Sequence, residues 1–233
     1  MSHVDDHSSG TWTERDDPLL LPPAKAREML STAPWRRFAV IGDSIAQGIG
    51  DPWPGYADVA WADRVADTLR AVHPDLSYLN SGRIGATIPE ITAAQIIPLY
   101  EFIPDLVHIS AGGNDLFVGT DLYTVERDLD ELCAAVAATG ATLSMFTLAD
   151  AFSDDFADLR ERFSALADIT RRLAGRYDMV LTEFWQHPAR LRPSWLSADM
   201  IHLTRAGHAV VAGDVMRSLA QWESPAERIR AIS

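Results

Sequence analysis

Little cysteine, little positive charge and no long apolar run mark this sequence, and each shortage removes a class of function. There is one cysteine, Cys133, so no intrachain disulfide can form. It lies in "DELCAAVAA", on an apolar helix face, where a free thiol is a small buried hydrophobe rather than a nucleophile. Lys and Arg number 20 against 33 Asp and Glu, a formal net charge of -13. Nucleic acid and anionic membrane surfaces are therefore not expected partners, because phosphate binding needs clustered cations. No stretch reaches the ~20 apolar residues of a membrane helix, so no membrane insertion is expected. The first residues, "MSHVDDHSSGTWTERDD", lack a basic segment followed by an apolar one, so no signal peptide is read and a cytoplasmic location is expected. His3, Asp5, Asp6 and His7 fall in this polar stretch, and a metal site would need rigid surroundings that such a tail does not supply. There is no internal repeat.

What is present is a regular alternation. The 233 residues, 47% hydrophobic, suit one domain with extras. Residues 1–34 read as an extension with a mobile tail and a short helix in "PLLLPPAKAREMLS", and 226–233 as a C-terminal tail. Between them, short apolar runs alternate with helical patterns. "RRFAVIG", "LSYLN", "PDLVHISAG", "ATLSMFTLAD" and "DMVLTEF" read as strands. "WADRVADTLRAV", "IPEITAAQIIPLY", "TVERDLDELCAAVAATG", "DLRERFSALADITRRLAGRY" and "TRAGHAVVAGDVMRSLAQW" read as helices. Pro89 is tolerated in a first turn, Gly140 is a C-cap and Thr204 an N-cap. Five apolar strands with helices between them make a parallel sheet covered on both faces. Ligands bind such sheets beyond the carboxyl ends of the strands.

Four segments fall at that end. "GDSIAQGIGD" carries Ser44, "NSGRIGAT" follows the second strand, "GGND" the third, and "ADMIHLT" precedes the last helix. A serine hydroxyl is a weak nucleophile until a base takes its proton, and the base needs an acid to hold its tautomer. Asp199 and His202, three residues apart, can meet locally. Among the other histidines, His73 precedes a proline, His108 lies inside a strand, and His187 and His208 lack an acid three residues before them. A Gly-x-Ser-x-Gly elbow is absent, as are the leading Asp-x-His of a metallophosphoesterase and a phosphate loop.

In these four blocks, spread over residues 36–221, the chain resembles the GDSL, or SGNH, hydrolase superfamily. The resemblance implies a flavodoxin-like, three-layer α/β/α fold with a five-stranded parallel sheet, the catalytic domain spanning 35–225. It implies Ser44 as nucleophile, His202 as base and Asp199 as orienting acid. The oxyanion donors would be the Ser44 and Gly85 backbone N–H groups and the Asn114 amide. Gly85, five residues after Asn80, is preferred to Gly82. Ile45 stands where the family name has leucine. Trp53 and Trp195 flank motif segments and are candidate pocket residues. No metal or organic cofactor is implied.

The expected activity is hydrolysis of carboxylic esters on a small molecule or sugar through an acyl-enzyme. The short, polar loops suggest acetyl or other short acyl groups, of about two to six carbons, since an open site buries little chain. The same residues could serve an acyltransferase with an alcohol or sugar acceptor. A non-catalytic binding module would have lost the serine, histidine or asparagine, and none is missing. The sequence leaves the oligomeric state open.

Overall fold

A computed structural model of the chain describes residues 12–152 and 157–223. The histidine–aspartate stretch at residues 3–7 and the tail at 226–233 lie outside the described residues. In chain order the elements are α1 (Pro23–Met29), β1 (Arg37–Gly42), α2 (Ser44–Gln47), α3 (Trp61–Val72), β2 (Ser77–Asn80), α4 (Ile88–Phe102), β3 (Leu106–Ser110), α5 (Gly113–Phe117), α6 (Leu122–Ala137), β4 (Thr142–Phe146), α7 (Ala157–Arg176), β5 (Val180–Thr182), a 3-10 turn (Pro188–Leu191) and α8 (Arg205–Ala220).

The five strands form one parallel sheet in the order β2-β1-β3-β4-β5. Side chains alternate across a strand, so each strand feeds two cores. On one face Phe38 and Val40 of β1 pack with Trp61, Val65 and Leu69 of α3 and with Val211 and Val215 of α8. On the other, Ala39 and Ile41 meet Ile91 of α4, Leu129 of α6 and Leu166 of α7. Burying each such large apolar side chain contributes ~1.5–3 kcal/mol, which is why the helices lie where their stripes dictate. Ala26 and Leu30 join the first core, so α1 is packed onto the body.

Local signals set the element ends. Thr87 and Glu90 form a capping box at the start of α4, and the Thr204 hydroxyl accepts from the Gly207 N–H at the start of α8. Helix α6 starts earlier than "TVERD", at an Asp121 cap, and ends at Ala137, with Gly140 at φ +78° turning the chain beyond it. Strand β5 is only three residues long because the Thr147 hydroxyl takes the Phe184 and Trp185 N–H groups out of the ladder. Two short helices, α2 and α5, start in the "GDSIAQGIGD" and "GGND" segments. They follow β1 and β3, the adjacent strands from which the chain winds in opposite directions. That crevice is where such sheets bind ligands.

Candidate active site

Ser44 is positioned by a tightly held turn. Strand β1 ends at Gly42 with φ +142°, and a Cβ there would lie 2.1 Å from the Ser110 carbonyl oxygen, so only glycine fits. Buried Gln95 brackets this residue, accepting from the Gly42 N–H at 2.8 Å and donating to its carbonyl at 2.9 Å. The Asp43 carboxyl caps α2 by accepting from the Ile45 N–H (2.9 Å) and also accepts from the Ser110 hydroxyl (3.2 Å). Burial pushes Asp43 up to about 6, against those hydrogen bonds. The carbonyls of α2 are tied down in turn: Trp61 Nε1 donates to Ile45 (2.8 Å) and Asn80 Nδ2 to Ala46 (2.7 Å). Ser44 opens this helix, so its N–H is one of the unpaired donors of a helix start.

Asp199 and His202 share a short loop. Asp199 Oδ1 accepts from the backbone N–H groups of Ile201 (2.9 Å) and His202 (3.0 Å), while Oδ2 lies 2.6 Å from His202 Nδ1. Burial works to raise this carboxyl, but the His202 ring and the two N–H groups outweigh it and hold Asp199 at about 2. A carboxylate can only accept, so Nδ1 carries the proton and Nε2 is left to accept. Nε2 lies 2.8 Å from the Ser44 hydroxyl.

A clamp aligns the two loops. The Asp51 N–H donates to Ser197 Oγ (2.8 Å), its carboxylate accepts from the Ala198 N–H (2.9 Å), and its carbonyl accepts from the Arg205 N–H (2.9 Å). Ser197 then donates through its N–H to the His202 carbonyl (2.7 Å) and through Oγ to that of Leu203 (3.0 Å). The chain passes so close that a Cβ on Gly50 would lie 1.9 Å from the Leu203 oxygen. Buried His208 supports this loop through the Ile49 carbonyl (3.1 Å), and burial holds its imidazole down at about 4.

Gly85 and Gly82 differ in what their N–H groups can do. The Gly82 N–H is taken by Asn80 Oδ1 at 2.9 Å. The Gly85 N–H has no partner among the described residues. Its φ is +75°, and open space lies where a side chain would point. Asn114, on α5, donates one amide hydrogen to the Ala86 carbonyl (3.0 Å), which leaves the other for a ligand. Asp115 accepts from the Ile88 N–H with both oxygens, pinning α5 to the start of α4. The turn carrying Gly85 is thus tied to the helix carrying Asn114.

Ser44 and Asn114 open onto a cleft of about 850 Å³, counting space open to solvent. Its walls are apolar, and Trp195 is one of them. Trp53 is not: the loop that holds it packs against the N-terminal segment, where Glu14 bonds Gly55 and Ala57. Among the other histidines, His108 is buried with Nδ1 3.0 Å from Ser144 Oγ, and burial drives it down to about 3. Cys133 is buried, its thiol pushed up to about 12. Among the described residues no group of His, Cys, Asp and Glu is arranged to hold a metal, and no helix is long and apolar enough to cross a membrane.

Gln95, Asp51 and Ser197 do not stand out in the sequence as site residues. Gln95 left a faint signal, as the one polar position in the buried stripe Ile91, Gln95, Leu99. Asp51 and Ser197 left none, since their partners are far away in the chain.

The model of the GDSL-like lipase/acylhydrolase family matches residues 40–210. Thioesterase 1/protease 1/lysophospholipase L1 of Escherichia coli K12 is 24% identical over 186 residues, which cover 77% of this chain and 81% of that one. Among solved structures, LAE5, an alpha/beta hydrolase enzyme from the metagenome of Lake Arreo, is 25% identical with a TM-score of 0.64, over 81% of this chain and 97% of that one. Axe2, an acetylxylan esterase of Geobacillus stearothermophilus, shares the fold at 21% identity and a TM-score of 0.66, over 81% of this chain and 95% of that one.

Proposed function

Because the chain belongs to the GDSL-like lipase/acylhydrolase family, and so is a serine-hydrolase-type esterase of small ester substrates, we propose that Ser44, His202 and Asp199 carry its chemistry. The observation that supports this most is the unbroken chain from Ser44 Oγ through both ring nitrogens of His202 to the Asp199 carboxylate. Ser44 Oγ attacks the ester carbonyl carbon while its proton passes to His202 Nε2. Asp199 stabilises the imidazolium without taking the proton. The oxygen that becomes negative is met by the Ser44 and Gly85 N–H groups and the spare Asn114 amide hydrogen. The carbon–oxygen bond to the alcohol then breaks, and His202 returns its proton to the leaving alkoxide. Water attacks the acyl-enzyme with His202 again taking a proton, the acid leaves, and Ser44 is reprotonated.

The catalytic unit in this reading is residues 35–225, and 1–34 is an extension whose helix α1 packs on it. The relatives act, by their names, on thioesters, lysophospholipids and acetylated xylan, so the test is a panel of oxygen esters, thioesters and acetylated sugars. A fluorophosphonate should label wild type at Ser44 and fail to label Ser44→Ala. Full ester turnover in a folded Ser44→Ala protein would end the reading.

A further inference from the structure

The walls of the cleft beside Ser44 specify the acyl group. Two aromatic ladders face it. One runs Phe117–Phe163–Phe152, with centroids 5.4 and 5.0 Å apart, and the other Phe146–Phe184–Trp195, at 5.8 and 6.1 Å. The only polar residues among the lining ones are Asp43, Ser44, Asn114 and Thr147. The first three sit at the nucleophile. The Thr147 hydroxyl oxygen already accepts from the Phe184 and Trp185 N–H groups, which leaves it no lone pair for a further donor. No described cationic side chain lines the cleft, so a carboxylate on the far end of an acyl group would be buried without a countercharge. The apolar surface continues to the mouth, where Met200 is 67% and Ile201 50% exposed, both between Asp199 and His202.

From this slot we infer that the enzyme selects uncharged, apolar acyl chains of medium length over acetyl, because its walls offer apolar contact and no countercharge. The inference rests on the esterase reading above and adds the acyl specificity to it. Short chains were expected because the loops are short and polar. The slot is instead built by α2, β4 and the loop after it, α5, α7, Phe184, the 195–203 segment and α8, whose apolar faces turn toward one another only in the folded chain.

The test is a series of straight-chain esters of one alcohol, from acetyl to palmitoyl, each below its micelle concentration. The expected kcat/KM rises about four-fold per methylene, the effect of burying one CH₂, and levels off beyond decanoyl. Ala149 and Ala151 line the cleft, so Ala149→Phe and, as a second variant, Ala151→Phe should each cut the octanoyl-to-acetyl ratio of kcat/KM by about ten-fold. Hydrolysis that is best with acetyl, or indifferent to length, overturns the chain-length inference and leaves the esterase reading standing. So does a folded pair of variants with the wild-type ratio. Failure of wild type to hydrolyse any ester overturns the esterase reading. Calorimetry of Ser44→Ala with the octanoyl and acetyl esters then decides the slot by itself: tighter octanoyl binding supports it, equal binding rejects it.

Discussion

Asn114 shows how little a residue needs in order to matter at this site. One amide hydrogen is spent on the Ala86 carbonyl, which fixes the side chain and leaves the other hydrogen without a partner among the described residues. A neutral donor held this way binds the ground-state ester weakly and the developing oxyanion strongly. Asn114→Ala should lower kcat by ~10²–10³ with little change in KM. Asn114→Asp should be at least as damaging, because it sets a negative charge against the oxyanion, and near-wild-type turnover would remove Asn114 from the role. The two glycines offer a paired experiment. Gly85→Ala keeps its N–H and meets open space, so kcat should survive while stability drops by ~1–2 kcal/mol for the left-handed backbone. Gly82→Ala would put a Cβ 2.3 Å from the Gln47 nitrogen, on the nucleophile helix, and should impair turnover more. Steady-state kinetics and thermal melts of both variants separate the two positions.

At the scale of elements, the proposed nucleophile and base arrive on separate pieces of chain, α2 and the loop before α8. Asp51 joins them through Ser197, Ala198 and Arg205. Removing its carboxylate frees the Ala198 N–H next to Asp199 and should let the acid–histidine loop drift. A small misplacement of reacting groups is costly, so Asp51→Ala is expected to reduce kcat by ~10–10²-fold, with KM changing less. Asp51→Asn keeps an acceptor oxygen and should restore most of the rate. If both variants lose stability and rate in parallel, the clamp supports the fold and not the alignment. Gln95 does comparable work on the other side, holding both backbone groups of Gly42 from α4.

For the whole molecule, a carboxyl buried at the nucleophile turn carries a consequence for stability. Asp43 is raised from 3.8 to about 6 by burial. Between those values the unfolded chain releases this proton while the native one keeps it, so the Asp43 contribution to stability falls as pH rises from about 4 to 6 and is level above that. Asp43→Asn can still accept from Ile45 and Ser110 but has no charge to bury. Relative to wild type it should gain up to ~3 kcal/mol on going from pH 4 to pH 7, about 1.4 kcal/mol for each unit of the shift. Urea unfolding at the two pH values measures this, and a difference that does not change with pH would mean that Asp43 is not the group responsible.

The sequence alone determined the architecture and the meeting of the motif residues at one end of the sheet. Both are written in short-range signals: apolar runs alternating with helical stripes, the Thr204 cap, and Asp199 three residues before His202, close enough to meet within one loop. It also pointed to Trp195, though Trp53, equally near a motif, is not among the residues lining the cleft, and its loop is bonded to the N-terminal segment through Ala57. Tertiary structure alone decided which donors are free and what the substrate meets. Whether Gly82 or Gly85 has a spare N–H depends on where the Asn80 side chain turns. The Asp51 clamp joins residues whose partners lie 146 and 147 positions away, a distance over which no sequence pattern runs. The apolar slot is assembled from faces of segments far apart in the chain. Each of them reads in the sequence as ordinary core, because burial against a substrate and burial against another helix select the same side chains.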